Sequence, residues 1–202
     1  MRIGLLRHFK VHCPHKKWMT SQEFREWSEK YEVSKVIKKK VEMYGIQWDI
    51  CYVSDMPRAI TTAKEVYSGN LMIDKLLREV DNAPFIHTNC LKLPFEVWHI
   101  CGRLAWFFKS KSQPETIDGT RKRINKFLDR IDWSKENILI VFHGWMIYNF
   151  QKELRKRGFQ GEKLKFVKNG VLYEYVREEL AKEVMKNENN TDLCGKTKGK
   201  VS

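Results

Sequence analysis

Two short apolar runs that each end in a histidine constrain this chain more than any other feature. Ile3 to Leu6 leads into Arg7-His8, and Asn137 to Phe142 leads into His143-Gly144. Both runs have the length and apolar character of strands, and the first reads as buried. Ile50-Cys51-Tyr52-Val53 is β-prone and runs into Ser54-Asp55. Met72 to Glu79 holds a further short strand, and Gly170 to Val176 a last one. Helical patterns lie between. Thr20 and Glu23 fit a capping box ahead of a helix through Phe24 and Trp27. Ser34 to Tyr44 is expected as a second helix, stopped by Gly45. Arg58 to Val66 places Ile60, Ala63 and Val66 on one side. Ile117 to Ile131 carries an apolar stripe of Ile124, Phe127, Leu128 and Ile131. Trp145 to Arg157 is expected as a helix closed by Gly158. Phe9 to Met19 is expected as a basic loop, while Pro84 to Trp98 matches neither period.

Strands alternating with helices imply a three-layer α/β/α domain with one mostly parallel sheet. A chain of 202 residues with 42% hydrophobic side chains can build one such core. The expected division is a domain over 1–177 and a polar C-terminal extension over 178–202, partly disordered. No apolar run reaches the roughly 18 residues of a membrane span. The first apolar stretch meets Arg7 too early for a signal peptide, so a cytoplasmic protein without membrane contact is expected. Cys13, Cys51, Cys90, Cys101 and Cys194 form no Cys-x-x-Cys pair. That argues against a disulfide framework or a zinc ribbon.

The formal charge is +13. Residues 178–202 hold five basic and five acidic side chains, so the excess belongs to the folded part. Such a field attracts anions. The runs Lys38-Lys39-Lys40, Arg121-Lys122-Arg123 and Arg155-Lys156-Arg157 lack any accompanying nucleic-acid signature and read as solvated faces. No nucleic-acid partner is expected.

In open α/β sheets, ligands bind outside the carboxyl ends of the strands. His8, His143, Arg58 and Glu79 all follow strand-like runs, so with Arg7 they fall at one edge. This ordered set resembles the histidine phosphatase superfamily, the phosphoglycerate mutase-like proteins. Arg7-His8 stands at the N-terminal strand end. Ser54-Asp55-Met56-Pro57-Arg58-Ala59-Ile60-Thr61-Thr62-Ala63 is similar to the second signature, Leu77-Arg78-Glu79 to the acidic segment, and His143-Gly144 to the late histidine motif. The resemblance covers Met1 to about Val176.

That resemblance implies His8 as nucleophile, His143 as a phosphate ligand, and Glu79 as proton donor to the leaving oxygen. It implies no metal and no cofactor. The residue types suit the task. A phosphate monoester carries about −1.5 to −2 charges, and Arg7 and Arg58 can grip it through planar forks. Nearby arginines disfavour a proton on His8 and so keep it nucleophilic. The implied function is a metal-independent phosphomonoesterase acting on a small phosphorylated metabolite through a phosphohistidine. Mutase-type transfer is an alternative; mutases resemble longer chains with a larger insertion over the site, and the short Asp81–Glu115 segment favours hydrolysis. A catalytically weak relative that binds a phospho-ligand or a protein is the other.

Departures from the family pattern concentrate beside the site. Phe9 follows His8 where glycine is usual, the loop reads Lys10-Val11-His12-Cys13-Pro14-His15-Lys16-Lys17, Phe142 precedes the late histidine, and Tyr148 replaces a common arginine. Asp81, Glu96 and Asp55 are competitors of Glu79. His12, Cys13 and His15 read as loop residues rather than metal ligands. Cysteine-phosphatase chemistry is disfavoured, because six residues separate Cys51 from Arg58 where five are needed. Nor is there a Gly-x-x-x-x-Gly-Lys phosphate loop.

Overall fold

The computed structural model describes residues 1–177 with the exception of Asn89. The proposed extension over 178–202, with Cys194, lies outside the described residues. Ten strands and five helices alternate: β1 Arg2–Arg7, β2 Lys10–Val11, β3 Trp18–Met19, α1 Ser21–Val33, β4 Val36–Ile37, β5 Ile50–Val53, α2 Pro57–Val66, β6 Leu71–Ile73, β7 Leu93–Pro94, α3 Phe95–Phe107, α4 Ile117–Leu128, β8 Asn137–Phe142, α5 Gly144–Lys156, β9 Gln160–Gly161 and β10 Leu172–Val176. A 3₁₀ turn covers Lys75–Leu77.

The main sheet runs β6-β5-β8-β1-β10-β9. β6, β5, β8 and β1 are parallel neighbours, while β10 and β9 add antiparallel at one side. The sheet is thus mostly parallel, as expected. Its central strands alternate between two cores, because successive side chains point to opposite faces. Ile3, Leu5, Ile138, Ile140 and Phe142 meet α4 and α5 through Ile124, Phe127, Met146 and Phe150. Leu6, Cys51, Val53, Leu139 and Val141 meet α2 through Ala59 and Ala63. Burying such side chains stabilises the fold by about 1.5–3 kcal/mol each. A truncation such as Leu139→Ala in the fully buried centre costs about 2–5 kcal/mol.

A third cluster stands apart from the sheet. Met19, Phe24 and Trp98 pack with Trp27, Phe85, Leu93 and Phe95, joining α1 to α3. The capping box at Thr20 and Glu23 starts α1 as expected. Trp98 Nε1 donates to the Met19 carbonyl at 2.8 Å, which ties α3 to β3. α3 occupies the stretch whose start the sequence left without a period.

The expected helix over Ser34 to Tyr44 does not form. Val36–Ile37 pairs antiparallel with Lys10–Val11. The chain then runs irregularly to a turn where Tyr44 and Gly45 both take positive φ, 53° and 66°. Two β-branched residues in a row favour the strand, and β2 offers it a partner that three consecutive lysines do not. The expected basic loop from Phe9 to Met19 likewise contains β2 and β3. Phe9 is wholly buried, its N–H donating to Thr62 Oγ1 at 2.9 Å.

Candidate active site

A cavity of about 550 Å³ opens at the carboxyl ends of the parallel strands. Arg7, Arg58 and Glu79 line it on the sheet side, and Trp27, Tyr31 and Glu32 of α1 with His99 and Arg103 of α3 line it opposite. Of the five residues named from the sequence, Arg7, Arg58 and Glu79 line the cavity, and His8 and His143 do not. His8 and His143 are buried, with ring centroids 5.1 Å apart.

His8 follows β1, and its N–H donates to the Phe142 carbonyl at 2.9 Å, so the β1–β8 ladder continues through His8. Its Nδ1 lies 2.6 Å from the Phe9 carbonyl. A carbonyl only accepts, so Nδ1 carries the proton and Nε2 is the lone-pair nitrogen. The imidazole pKa is pushed down to about 3, first by burial, then by the Arg58 and Arg7 charges; the Phe9 hydrogen bond opposes this. The sequence reading credited the arginines, and burial contributes more. Asn169 Nδ2 donates to the His8 carbonyl at 2.9 Å. Gly170, at φ +58°, donates its N–H to the Arg7 carbonyl at 2.8 Å. A left-handed residue at that tight approach suits glycine.

His143 is the N-cap residue of α5. Its Nε2 lies 2.9 Å from Ser54 Oγ at the end of β5. Burial, then the neighbouring His8, Arg58 and Arg7, holds it well below the usual imidazole range. The glycine after it has a steric reason. A Cβ on Gly144 would stand 2.8 Å from Arg7 Cζ and Nε. Arg7 Nη1 donates to the Val167 carbonyl at 2.6 Å.

Arg58, in the first turn of α2, is 2% exposed. Its Nη1 and Nη2 reach both oxygens of Glu32 at 3.0 and 3.3 Å, and its Cζ lies 5.2 Å from the Tyr31 ring centroid. Arg7 Nε and Arg58 Nε are both buried without a hydrogen-bond partner among the described residues. Two orphaned guanidinium donors beside a neutral imidazole are a costly arrangement unless an anion completes it.

Glu79 caps α5 from a distance. Its Oε2 accepts from the Trp145 N–H at 3.2 Å, and its Oε1 from the N–H groups of Met146 at 3.0 Å and Val80 at 2.9 Å. The Trp145 and Met146 donors belong to the N-terminus of α5, where a carboxylate is favoured. Of its competitors, Asp55 is held in a bidentate pair by Arg78 at 2.8 and 2.7 Å, chiefly lowering its pKa. Asp81 lines the cavity, and desolvation there, with the Glu115 charge behind it, raises its carboxyl above the usual range. Glu96 does not line the cavity.

Several site residues carried no signal in the sequence. Arg103 Nη1 donates to the Val80 carbonyl at 2.9 Å, and burial lowers its pKa. It sits on α3, whose place over the site comes from tertiary packing. Tyr31 and Glu32 lie at the end of α1, past the residues by which the sequence marked that helix. Asn169-Gly170 is a turn dipeptide that composition could have flagged. The departures resolve into packing. Phe9 does not line the cavity; Phe142 packs edge-on against Phe150 at 5.2 Å; Tyr148 lines the cavity and stacks on Trp145. His15 stacks on Phe95 at 3.7 Å.

The family model described as "Histidine phosphatase superfamily (branch 1)" matches residues 40–186. The chain belongs to this superfamily. It is an enzyme of histidine phosphatase type. The matched residues include Arg58, Glu79 and His143 and begin after Arg7-His8, which the β1–β8 ladder joins to them. No curated protein matches the chain in sequence. Solved structures share the histidine phosphatase fold. One is the alpha-ribazole phosphatase from Shigella flexneri, with TM-score 0.53 and 17% identity, covering 89% of this chain and 92% of that one. Another is phosphoglycerate mutase from Bacillus anthracis, with TM-score 0.55, 19% identity and coverage of 89% and 92%. A third is the mycobacterial glucosyl-3-phosphoglycerate phosphatase complexed with VO3, with TM-score 0.55, 19% identity and coverage of 86% and 91%. Among the described residues, no helix is long and apolar enough to cross a membrane.

Proposed function

We propose that the protein hydrolyses phosphate monoesters of small metabolites through a phosphohistidine on His8. One observation carries the reading: a neutral His8 with Nδ1 protonated, beside two guanidinium groups that each keep a buried, unpartnered Nε–H. Arg7 and Arg58 bind the phosphoryl oxygens and stabilise the charge that builds on them. His8 Nε2 attacks phosphorus, the bond to the leaving oxygen breaks, and Glu79 delivers a proton to that oxygen. Water then attacks the phosphohistidine and gives its proton to the same carboxylate. Orthophosphate leaves and His8 is regenerated neutral. His143 is a phosphate ligand, with Ser54 fixing its ring.

Asp81 gives a second reading of the proton donor, since it lines the same cavity with a raised pKa. The cavity volume suits a small substrate. The alpha-ribazole and glucosyl-3-phosphoglycerate phosphatases of this fold, by their names, act on phosphorylated small molecules; a phosphorylated metabolite is the substrate class we carry over.

The test is hydrolysis of an aryl phosphate by wild type and His8→Ala, with trapping of the covalent intermediate. Wild type should turn over and yield an acid-labile phosphohistidine. His8→Ala should lose at least about a thousandfold in kcat/KM. Retained activity in His8→Ala sinks the assignment of the nucleophile. Transfer of the phosphoryl group to an added alcohol in preference to water favours the mutase reading.

A further inference from the structure

We propose that Glu32 is a carboxylate gate that occupies the phosphoryl fork of Arg58 in the ligand-free enzyme and is displaced when phosphate arrives. The inference rests on the phosphatase reading of the same cavity. Both Nη atoms of Arg58 are committed to Glu32 in a two-point pair, the geometry with which a guanidinium also grips a phosphate. A carboxylate so placed competes with the substrate for the same donors and repels its charge.

Exposure decides which partner yields. The Arg58 side chain is 2% exposed and the Glu32 side chain 41%. Arg58 is also held from a second direction by the Tyr31 ring. Glu32 can therefore swing into water by rotating its own side chain, while the guanidinium keeps its place under Tyr31. Nothing in α1 itself calls for this acid. Glu32 lies in the last turn of the helix, where the macrodipole disfavours a negative charge. Its position is accounted for by Arg58. The gate keeps a buried guanidinium paired while the site is empty and gives that pair up to an anion carrying more charge.

The gate makes affinity for the phosphoryl group weaker than the arginines alone would give, which also eases release of orthophosphate. The experiment is orthophosphate binding by calorimetry to wild type, Glu32→Gln, Glu32→Ala and Arg58→Ala, each checked for an unchanged thermal transition. Expected is binding about two- to fivefold tighter in both Glu32 variants, the range a partly exposed ion pair is worth. Arg58→Ala should bind at least about tenfold more weakly than wild type. Equal or weaker binding in the Glu32 variants, with Arg58→Ala still weak, overturns the gate and makes Glu32 a support for Arg58. Arg58→Ala binding as well as wild type overturns the gate and the phosphate-site reading together. Using two Glu32 variants separates loss of charge from loss of the side chain, since tightening is expected in both.

Discussion

The cavity has two unlike walls. The sheet wall is made of strand ends: His8 after β1, Ser54 after β5, His143 after β8. Their positions follow from backbone ladders and from cores on both faces of the sheet. The opposite wall is α1 with α3, joined by a small aromatic cluster. On the proposed reading, the sheet edge carries the reacting groups, and the helical pair carries groups that would meet the rest of the substrate. The difference teaches where, under the proposed mechanism, chemistry and selectivity would divide. Loss of a sheet-wall group should abolish turnover, whereas loss of a helical-wall group should change which phosphate ester is accepted.

The largest effect that would sharpen this division after His8→Ala concerns the proton donor. Glu79→Gln should lower kcat by about 10²–10⁴-fold, and the deficit should shrink for substrates whose leaving group needs no proton, such as a nitrophenolate. Asp81→Asn should leave kcat within a few-fold on the same substrates. The reverse ranking would move the acid to Asp81 and the chemistry off the Glu79–α5 contact.

A smaller effect is expected at Gly144. Adding a methyl forces it within 2.8 Å of the Arg7 guanidinium, which must shift. Gly144→Ala should lose about ten- to a hundredfold in kcat/KM with the fold intact by circular dichroism. Unchanged kinetics would show that Arg7 tolerates displacement and does not position the phosphate.

The pH dependence of stability reports on both walls, since burial also pushes His99 of α3 down to about 4. His8 stays neutral in the folded chain down to about pH 3 but takes up a proton near 6.5 when unfolded. The unfolded state therefore binds more protons between those values. Stability from this neutral histidine is present above about pH 6.5 and is lost as pH falls toward 3. His143 shifts in the same direction and adds to the slope. The urea midpoint should fall across that range, and His8→Asn should flatten the fall. An unchanged slope in the variant would argue that His8 titrates normally in the fold.

The smallest effect belongs to the helical wall. Trp98→Phe removes one hydrogen bond to Met19 and should cost about 1 kcal/mol or somewhat more, with the carbonyl left buried. Turnover of a small aryl phosphate should change little, because no reacting group sits on that wall. A loss comparable to that of Gly144→Ala would show that the two walls are coupled more tightly than their separate cores imply.

The same division separates what was legible in the residues from what was not. The strands β1, β5 and β8 and the helices α2, α4 and α5 were readable, because each depends on local signals: an unbroken apolar run or a 3.6-residue stripe. The Ser34–Tyr44 segment was misread, because its pairing partner Lys10–Val11 lies more than twenty residues away and leaves no periodic mark. Glu32 and Arg103 were unreadable as site residues for a related reason. Their helices resemble any other amphipathic helix until the α1–α3 cluster turns them toward the strand ends. Sequence alone determined the alternating architecture and the strand ends at which the candidate site residues stand, since hydrophobic period and strand-end placement are local properties. Only the tertiary structure decided which acid stands at the mouth of the site, which arginine flanks it, and how deeply His8 is buried, since these depend on contacts between segments far apart in the chain.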